Sequence, residues 1–188
     1  ETTKKILPLS EPYNDYIHLL FALDDEKQLA FSDMRKFATI RLLQNKEAYA
    51  EAITEYGPEP LEPRLSYHGF MKKLSTKPRM KVKSALLDQH LISGFGNIYS
   101  DELLWNVGVH PESRVGDIPQ EIWKELYREG KKILQTALKH GGDSMGDYRK
   151  IDGRGGSFHN LHKVYQKEGT VCLRKGRSEE RRVGKECR

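Results

Sequence analysis

Between residues 16 and 32 apolar side chains alternate with less apolar ones. Ile17, Leu19, Phe21 and Leu23 fall on one face, and Leu29 and Phe31 follow the polar connection Asp24-Asp25-Glu26-Lys27. A period of two belongs to an extended chain whose successive side chains point to opposite faces, so this stretch predicts a half-buried antiparallel hairpin. Two strands do not make a stable domain, and the sheet is expected to continue with strands that this chain does not obviously supply. Residues 44–56, rich in Ala and Glu, predict a short helix stopped by Gly57-Pro58, and Pro60 and Pro63 then mark an extended connection and a domain boundary.

Beyond that boundary the spacing becomes helical, with segments predicted near 66–74, 78–92, 97–107 and 119–140. The last is the clearest, because Ile122, Leu126, Ile133, Ala137 and Leu138 keep one stripe between Asp117 and Pro119 at the start and Gly141-Gly142 at the end. Trp105, Trp123 and Tyr127 are expected in the core of this helical part. Residues 142–156 are polar and glycine-rich, and predict a loop that is either functional or simply flexible.

The two helical patterns at 78–92 and 97–107 are joined by Ser93-Gly94-Phe95-Gly96-Asn97. Glycines can take positive φ and let a backbone come close to a ligand, and Asn97 is expected to cap the following helix. Free N–H groups at a helix start beside glycine amides suit a phosphate, although an ordinary tight turn between helices has the same appearance.

The formal charge of +5 is too small to identify a partner, so its distribution matters more. From Arg64 to Leu87 there are seven cations, Arg64, Lys72, Lys73, Lys77, Arg79, Lys81 and Lys83, and no acid. Such a run leading into an anion-binding turn fits phosphate tracking along a duplex, and it equally fits a solvated lysine face. No apolar run approaches membrane-spanning length, and the two cysteines, Cys172 and Cys187, make no disulfide framework and suit a reducing cytoplasm.

Taken in order, several segments resemble the bacterial formamidopyrimidine-DNA glycosylases, with the endonuclease VIII branch as near relatives. They are Asp33-Met34-Arg35-Lys36-Phe37, Gly57-Pro58-Glu59-Pro60-Leu61, the stretch 86–99, Gly141-Gly142, Asp147-Tyr148, Asp152-Gly153, Gly156-Ser157-Phe158 and Val164-Tyr165, up to Cys172. The resemblance implies an α+β fold. A partial antiparallel β-sandwich (1–63) precedes a helical helix-two-turn-helix domain with a lesion loop (64–156), the start of a zinc ribbon (157–176) and a non-native tail (177–188). It also implies a cytoplasmic, monomeric repair enzyme that excises oxidised purines from double-stranded DNA and cuts the strand, with no membrane partner.

By the same resemblance Arg35 fills the gap left by an extruded base and Phe37 acts as a wedge. A guanidinium has fixed donors for a base edge, and an inserted side chain offsets the few kcal/mol of unstacking. Without the family, Arg35 reads as a surface arginine and Phe37 as a core strand residue. Asn97 and Arg79 correspond to phosphate contacts, as does Asn14, which stands where the family commonly has histidine. Asp143, Ser144, Met145, Gly146, Asp147 and Tyr148 fall in the loop that closes over the flipped base.

The family's nucleophile is an N-terminal proline followed by glutamate, with a lysine on a later hairpin, and none of these is found here. The chain as written is therefore expected to grip DNA without cleaving it. The family's zinc ribbon needs two Cys-x-x-Cys pairs, whereas Cys172-Leu173-Arg174-Lys175 offers one thiolate, so Cys172 is an incomplete zinc ligand and no bound zinc is expected. Residues 177–188 resemble the translation of a sequencing adapter. Two further functions stay open: a non-enzymatic helix-two-turn-helix nucleic-acid module, as in a small-subunit ribosomal protein, and a preference for oxidised pyrimidines.

Overall fold

The computed structural model describes residues 15–143 and 155–172, and the chain divides into two compact units, Glu1–Tyr49 and Ala50–Arg188. Unit one holds an antiparallel hairpin of β1 (Ile17–Ala22) and β2 (Gln28–Ser32), paired from Leu19↔Phe31 to Ala22↔Gln28 with an irregularity between Ile17 and Leu19. The register follows the predicted alternation, but burial does not. Leu19, Phe21 and Leu29 are 36%, 45% and 49% exposed, so the face expected to be half-buried is open among the described residues. Two strands shield only one edge of each other's backbone and cover neither face. Among the described residues the architecture is therefore a mixture of helices with one two-stranded sheet.

Among the described residues five α-helices follow: α1 (Lys46–Thr54), α2 (Tyr67–Ser75), α3 (Val82–Leu87), α4 (Asn97–Val107) and α5 (Gln120–Lys139). Ser66 caps α2 by accepting the Gly69 N–H at 3.1 Å. The segment predicted as helical over 78–92 is helical only at Val82–Leu87. Pro78 has no N–H to continue a helix inward, and the carbonyls of Met80 and Pro78 instead accept the N–H groups of Val115 and Gly116. At the other end the Asp88 carboxylate takes the His90 N–H and the chain enters turns.

The core of unit two lies between α2, α3, α4 and α5, where Phe70, Leu74, Leu86, Phe95, Leu104 and Leu126 are at most 1% exposed. The buried positions of α5 are Trp123, Leu126, Gly130, Ile133, Leu134 and Ala137; of the predicted stripe Leu126, Ile133 and Ala137 are buried, Ile122 is half-buried and Leu138 is 70% exposed. Gly130 explains itself by contact: a Cβ there would sit 2.9 Å from the Phe95 ring, so α5 can approach the α3–α4 turn only without a side chain. Trp123 is buried and Tyr127 donates its hydroxyl to the Leu65 carbonyl at 2.7 Å. Trp105 packs instead against a small separate cluster of Val164 and Cys172.

The division between units falls within α1, ahead of the boundary read from Pro60 and Pro63. The reason is that residues 57–60 pack as part of unit two. The Gly57 N–H donates to Gln89 O at 2.7 Å, Ser93 Oγ donates to Gly57 O at 2.9 Å, and the Ser93 N–H donates to Pro58 O at 3.2 Å. A Cβ on Gly57 would lie 2.4 Å from Leu91 O, so this contact requires glycine.

Candidate nucleic-acid interface

In unit one, the residues after β2 form a braced loop. Asp33 Oδ1 accepts the Arg35 N–H at 3.0 Å and Oδ2 accepts the Ala38 N–H at 2.8 Å, while Lys36 takes a left-handed φ of 56°. These amides, that of Ala38 foremost, hold the Asp33 carboxyl below its usual range. The loop is tied to β1 through the Asp33 N–H to Tyr16 O at 3.0 Å, and His18 Nε2 lies 2.9 Å from Asp33 O. Its tip presents Arg35 and Phe37 together, the guanidinium carbon 5.7 Å from the ring centroid. Phe37 is 82% exposed, which overturns its reading as a core strand residue. An outward phenyl group held on a rigid loop beside a cation is suited to stacking on a flat partner.

In unit two the α3–α4 turn carries Gly94 at φ 93°, a left-handed conformation that strains any other residue except by accident of Asn or Asp. A Cβ on Gly96 would meet nothing within 4 Å, so the backbone there faces open space. Helix α4 begins at Asn97 with Gly96 at the capping position, which corrects the expectation that Asn97 caps it. As the first helical residue, Asn97 is exposed, and its side-chain amide has no hydrogen-bond partner among the described residues. It is free to address an external acceptor, next to the unpaired amides and positive end of α4.

Asn97 lines a cleft of about 470 Å³ with Lys83, Asp101, Val164, Tyr165, Gln166 and Glu168. Lys83 Nζ lies 2.7 Å from Oδ1 of the buried Asp101, at an angle that makes the contact an ion pair rather than a hydrogen bond. In the sequence Lys83 is one of seven cations between Arg64 and Leu87, with nothing to set it apart. Its position fourteen residues before Asn97 carries no helical signal, and only folding α3 against α4 brings the two to one cleft. Arg79 is exposed in the turn before α3 and does not line that cleft. Of the other cations, Lys81 pairs with Glu112, lowering that carboxyl's pKa, while Arg64, Lys72, Lys73 and Lys77 make no ion pair among the described residues.

The far wall of the cleft is hung from α4. Glu102, 2% exposed, accepts the N–H groups of Lys163, Val164 and Tyr165 at 2.9–3.0 Å. The end of α5 turns through Gly141 and Gly142, both at positive φ, and Asp143 then meets His162 in a buried pair. A Cβ on Gly156 would lie 2.1 Å from Gly142 O, so the chain re-enters the described structure in backbone contact with the point where it leaves. Asn14 and residues 144–148 of the predicted site lie outside the described residues. Cys172 is buried against Val164 and Trp105, and among the described residues no group of three or more His, Cys, Asp or Glu side chains converges as a metal site. No described helix is long and apolar enough to cross a membrane.

The family described as "Formamidopyrimidine-DNA glycosylase H2TH domain" matches residues 56–149, half of the chain. Among relatives, the formamidopyrimidine-DNA glycosylase of Desulforamulus reducens is 36% identical over 162 residues, covering 86% of this chain and 58% of that protein. That of Bacillus subtilis is 36% identical over 163 residues, covering 86% and 59%. Among solved structures, the MutM (Fpg) protein of Thermus thermophilus superposes with a TM-score of 0.74 at 33% identity, covering 86% of this chain and 61% of that one. Lactococcus lactis Fpg in complex with DNA containing an abasic site gives 0.76 at 33% identity, covering 89% and 61%. The chain thus spans about three fifths of the length of the relatives it matches. The matched segment contains the α3–α4 turn and Asn97, and with the likeness running through the hairpin as well, the chain belongs to the formamidopyrimidine-DNA glycosylase family.

Proposed function

We propose that this chain is the DNA-gripping part of a base-excision-repair glycosylase and AP lyase that removes oxidised purines, 8-oxoguanine and formamidopyrimidines, from double-stranded DNA. The observation that carries the reading is the exposed, unpartnered Asn97 at the start of α4, beside Lys83 and the open backbone of Gly96. In this reading Asn97, Lys83 and the α4 amides hold backbone phosphates, Arg79 adds a charge nearby, and Asn14 makes a further phosphate contact. Arg35 and Phe37 enter the duplex at the extruded base. The guanidinium supplies a planar set of donors to the orphaned partner, and the ring replaces lost stacking. Residues 143–148 close over the base.

The hairpin is one part of a larger β-sandwich, which accounts for the exposure of Leu19, Phe21 and Leu29. In the whole protein, the segment leading to Cys172 begins a zinc ribbon; the residues described here do not complete its ligand set. The protein works as a monomer in the cytoplasm. The Lactococcus lactis relative was solved on DNA containing an abasic site, and such DNA is the natural probe. The chain should bind a duplex carrying a tetrahydrofuran abasic analogue more tightly than the intact duplex, with affinity falling steeply as salt rises. Arg35→Ala with Phe37→Ala should abolish the preference for the damaged duplex and leave the salt dependence. Equal affinity for both duplexes, or binding that ignores salt, would overturn the reading.

A further inference from the structure

The α3–α4 turn owes its shape to one side chain. The part-buried amide of Gln89 donates from Nε2 to the carbonyls of Leu87 at 3.1 Å and Phe95 at 2.8 Å, and accepts at Oε1 from the Gly94 N–H at 2.9 Å. These three bonds reach the entry, the middle and the exit of the turn. Both N–H groups of the amide are used inside the protein, which leaves Gln89 no donor for a ligand.

The two glycines cannot fix the turn by sterics. Gly94 sits at φ 93° with only Pro60 Cδ, at 3.9 Å, near its missing Cβ, and Gly96 has no neighbour within 4 Å. Other braces act elsewhere. Ser93 is tied to Gly57 and Pro58, and the Phe95 ring is held under Gly130. Neither orients the peptide between Phe95 and Gly96, which leads directly into Asn97. The Gln89 amide does, by holding the Phe95 carbonyl and so the direction of the N–H on the other side of the same planar peptide.

We propose that Gln89 is a positioning residue for phosphate recognition, locking Gly94–Gly96 so that Asn97 and the first free amides of α4 converge on one duplex phosphate. The proposal rests on the DNA-binding reading above. It is tested by fluorescence anisotropy on the full chain with a short duplex containing a tetrahydrofuran abasic analogue, titrated at several salt concentrations. The proteins compared are the unchanged chain, Asn97→Ala, Gln89→Met and the double variant, each with a thermal melt.

Asn97 and the α4 amides carry no net charge, so losing their phosphate contact weakens binding without removing a released counterion and leaves the slope of log K against log salt as it was. Gln89→Met is expected to weaken duplex binding about tenfold, as Asn97→Ala does, with the slope kept, and the double variant to bind within about twofold of Asn97→Ala, because coupled residues are not additive. A merely structural Gln89 would lower the melting temperature and either leave the affinity of the folded protein unchanged or add its effect in full to that of Asn97→Ala, and either result overturns the proposal. So does a Gln89→Met protein that is unfolded at the assay temperature, since Gln89 would then serve the fold as a whole. Failure of the underlying reading shows differently, as salt-independent binding by the unchanged chain or a neutral Asn97→Ala.

Discussion

Replacing Glu102 by alanine isolates the contact that hangs residues 163–165 on α4. Its carboxylate, 2% exposed, satisfies three backbone donors: the Lys163 N–H at 3.0 Å to both oxygens, and the N–H groups of Val164 and Tyr165 at 3.0 and 2.9 Å. The Val164 bond is buried, so its orphaned donor costs about 1–3 kcal/mol. The other two are part-buried and water can replace the carboxylate, leaving about 0.5–1.5 kcal/mol each. The sum is a destabilisation of about 2–6 kcal/mol, enough to unfold a marginal domain. Urea denaturation followed by circular dichroism measures the loss, and native-state hydrogen exchange localises it. The amides of Lys163, Val164 and Tyr165 should exchange at least tenfold faster, each tenfold being about 1.4 kcal/mol. Glu102→Gln retains one acceptor oxygen and turns an NH₂ toward the Lys163 N–H, so it should fall between. A loss below about 1 kcal/mol in the alanine variant, with exchange at 163–165 unchanged, would refute the bonding scheme.

Three further outcomes follow from the geometry. Gly57→Ala places a Cβ 2.4 Å from Leu91 O and should cost about 1–3 kcal/mol in chemical denaturation, with the residues of the α3–α4 turn shifting in an NMR amide spectrum. Asp33 has a depressed carboxyl pKa because it binds the Ala38 and Arg35 amides, so its contribution is present above the ordinary carboxylate range and is lost as pH falls through the lower folded value. Arg35 and Phe37 should therefore hold their place at neutral pH and loosen only in acid, whereas Asp33→Asn should loosen them at pH 7, read as a weakened preference for abasic over intact duplex. Arg79→Ala, which removes an exposed cation with no ion pair among the described residues, should lower the salt slope of duplex binding by about 0.9, while Lys81→Ala and Lys83→Ala, whose partners are Glu112 and Asp101, should each change it by less.

Much of this molecule follows from local rules that a sequence carries. The hairpin register is set by a period of two, and the α5 stripe by a period near 3.6, and both arise from backbone geometry that each residue imposes on its neighbours. Asp33-Met34-Arg35-Lys36-Phe37 was legible only through its resemblance to a family motif, and the bonds from the Arg35 and Ala38 amides to Asp33 that shape the loop emerged from the structure. The same locality misled where a competing interaction was distant. Helix α3 is shorter than its periodicity because Pro78–Met80 bond to Val115 and Gly116, and Asn97 is the first residue of α4 rather than its cap. Burial on the hairpin could not be read from alternation, which says which side chains share a face and not whether anything covers it.

The sequence by itself determined most of the element types and the glycine turn, since each depends on a few adjacent residues, whereas the exposure of Phe37 was decided by the folded loop. Only the tertiary structure decided that Lys83 shares a cleft with Asn97, that Glu102 carries the 163–165 segment across 61 or more positions, and that Gln89 and Gly57 shape the turn. Those pairings are fixed by how α3, α4 and α5 pack around Phe95 and Leu104, and packing partners far apart in the chain leave no periodic trace in it.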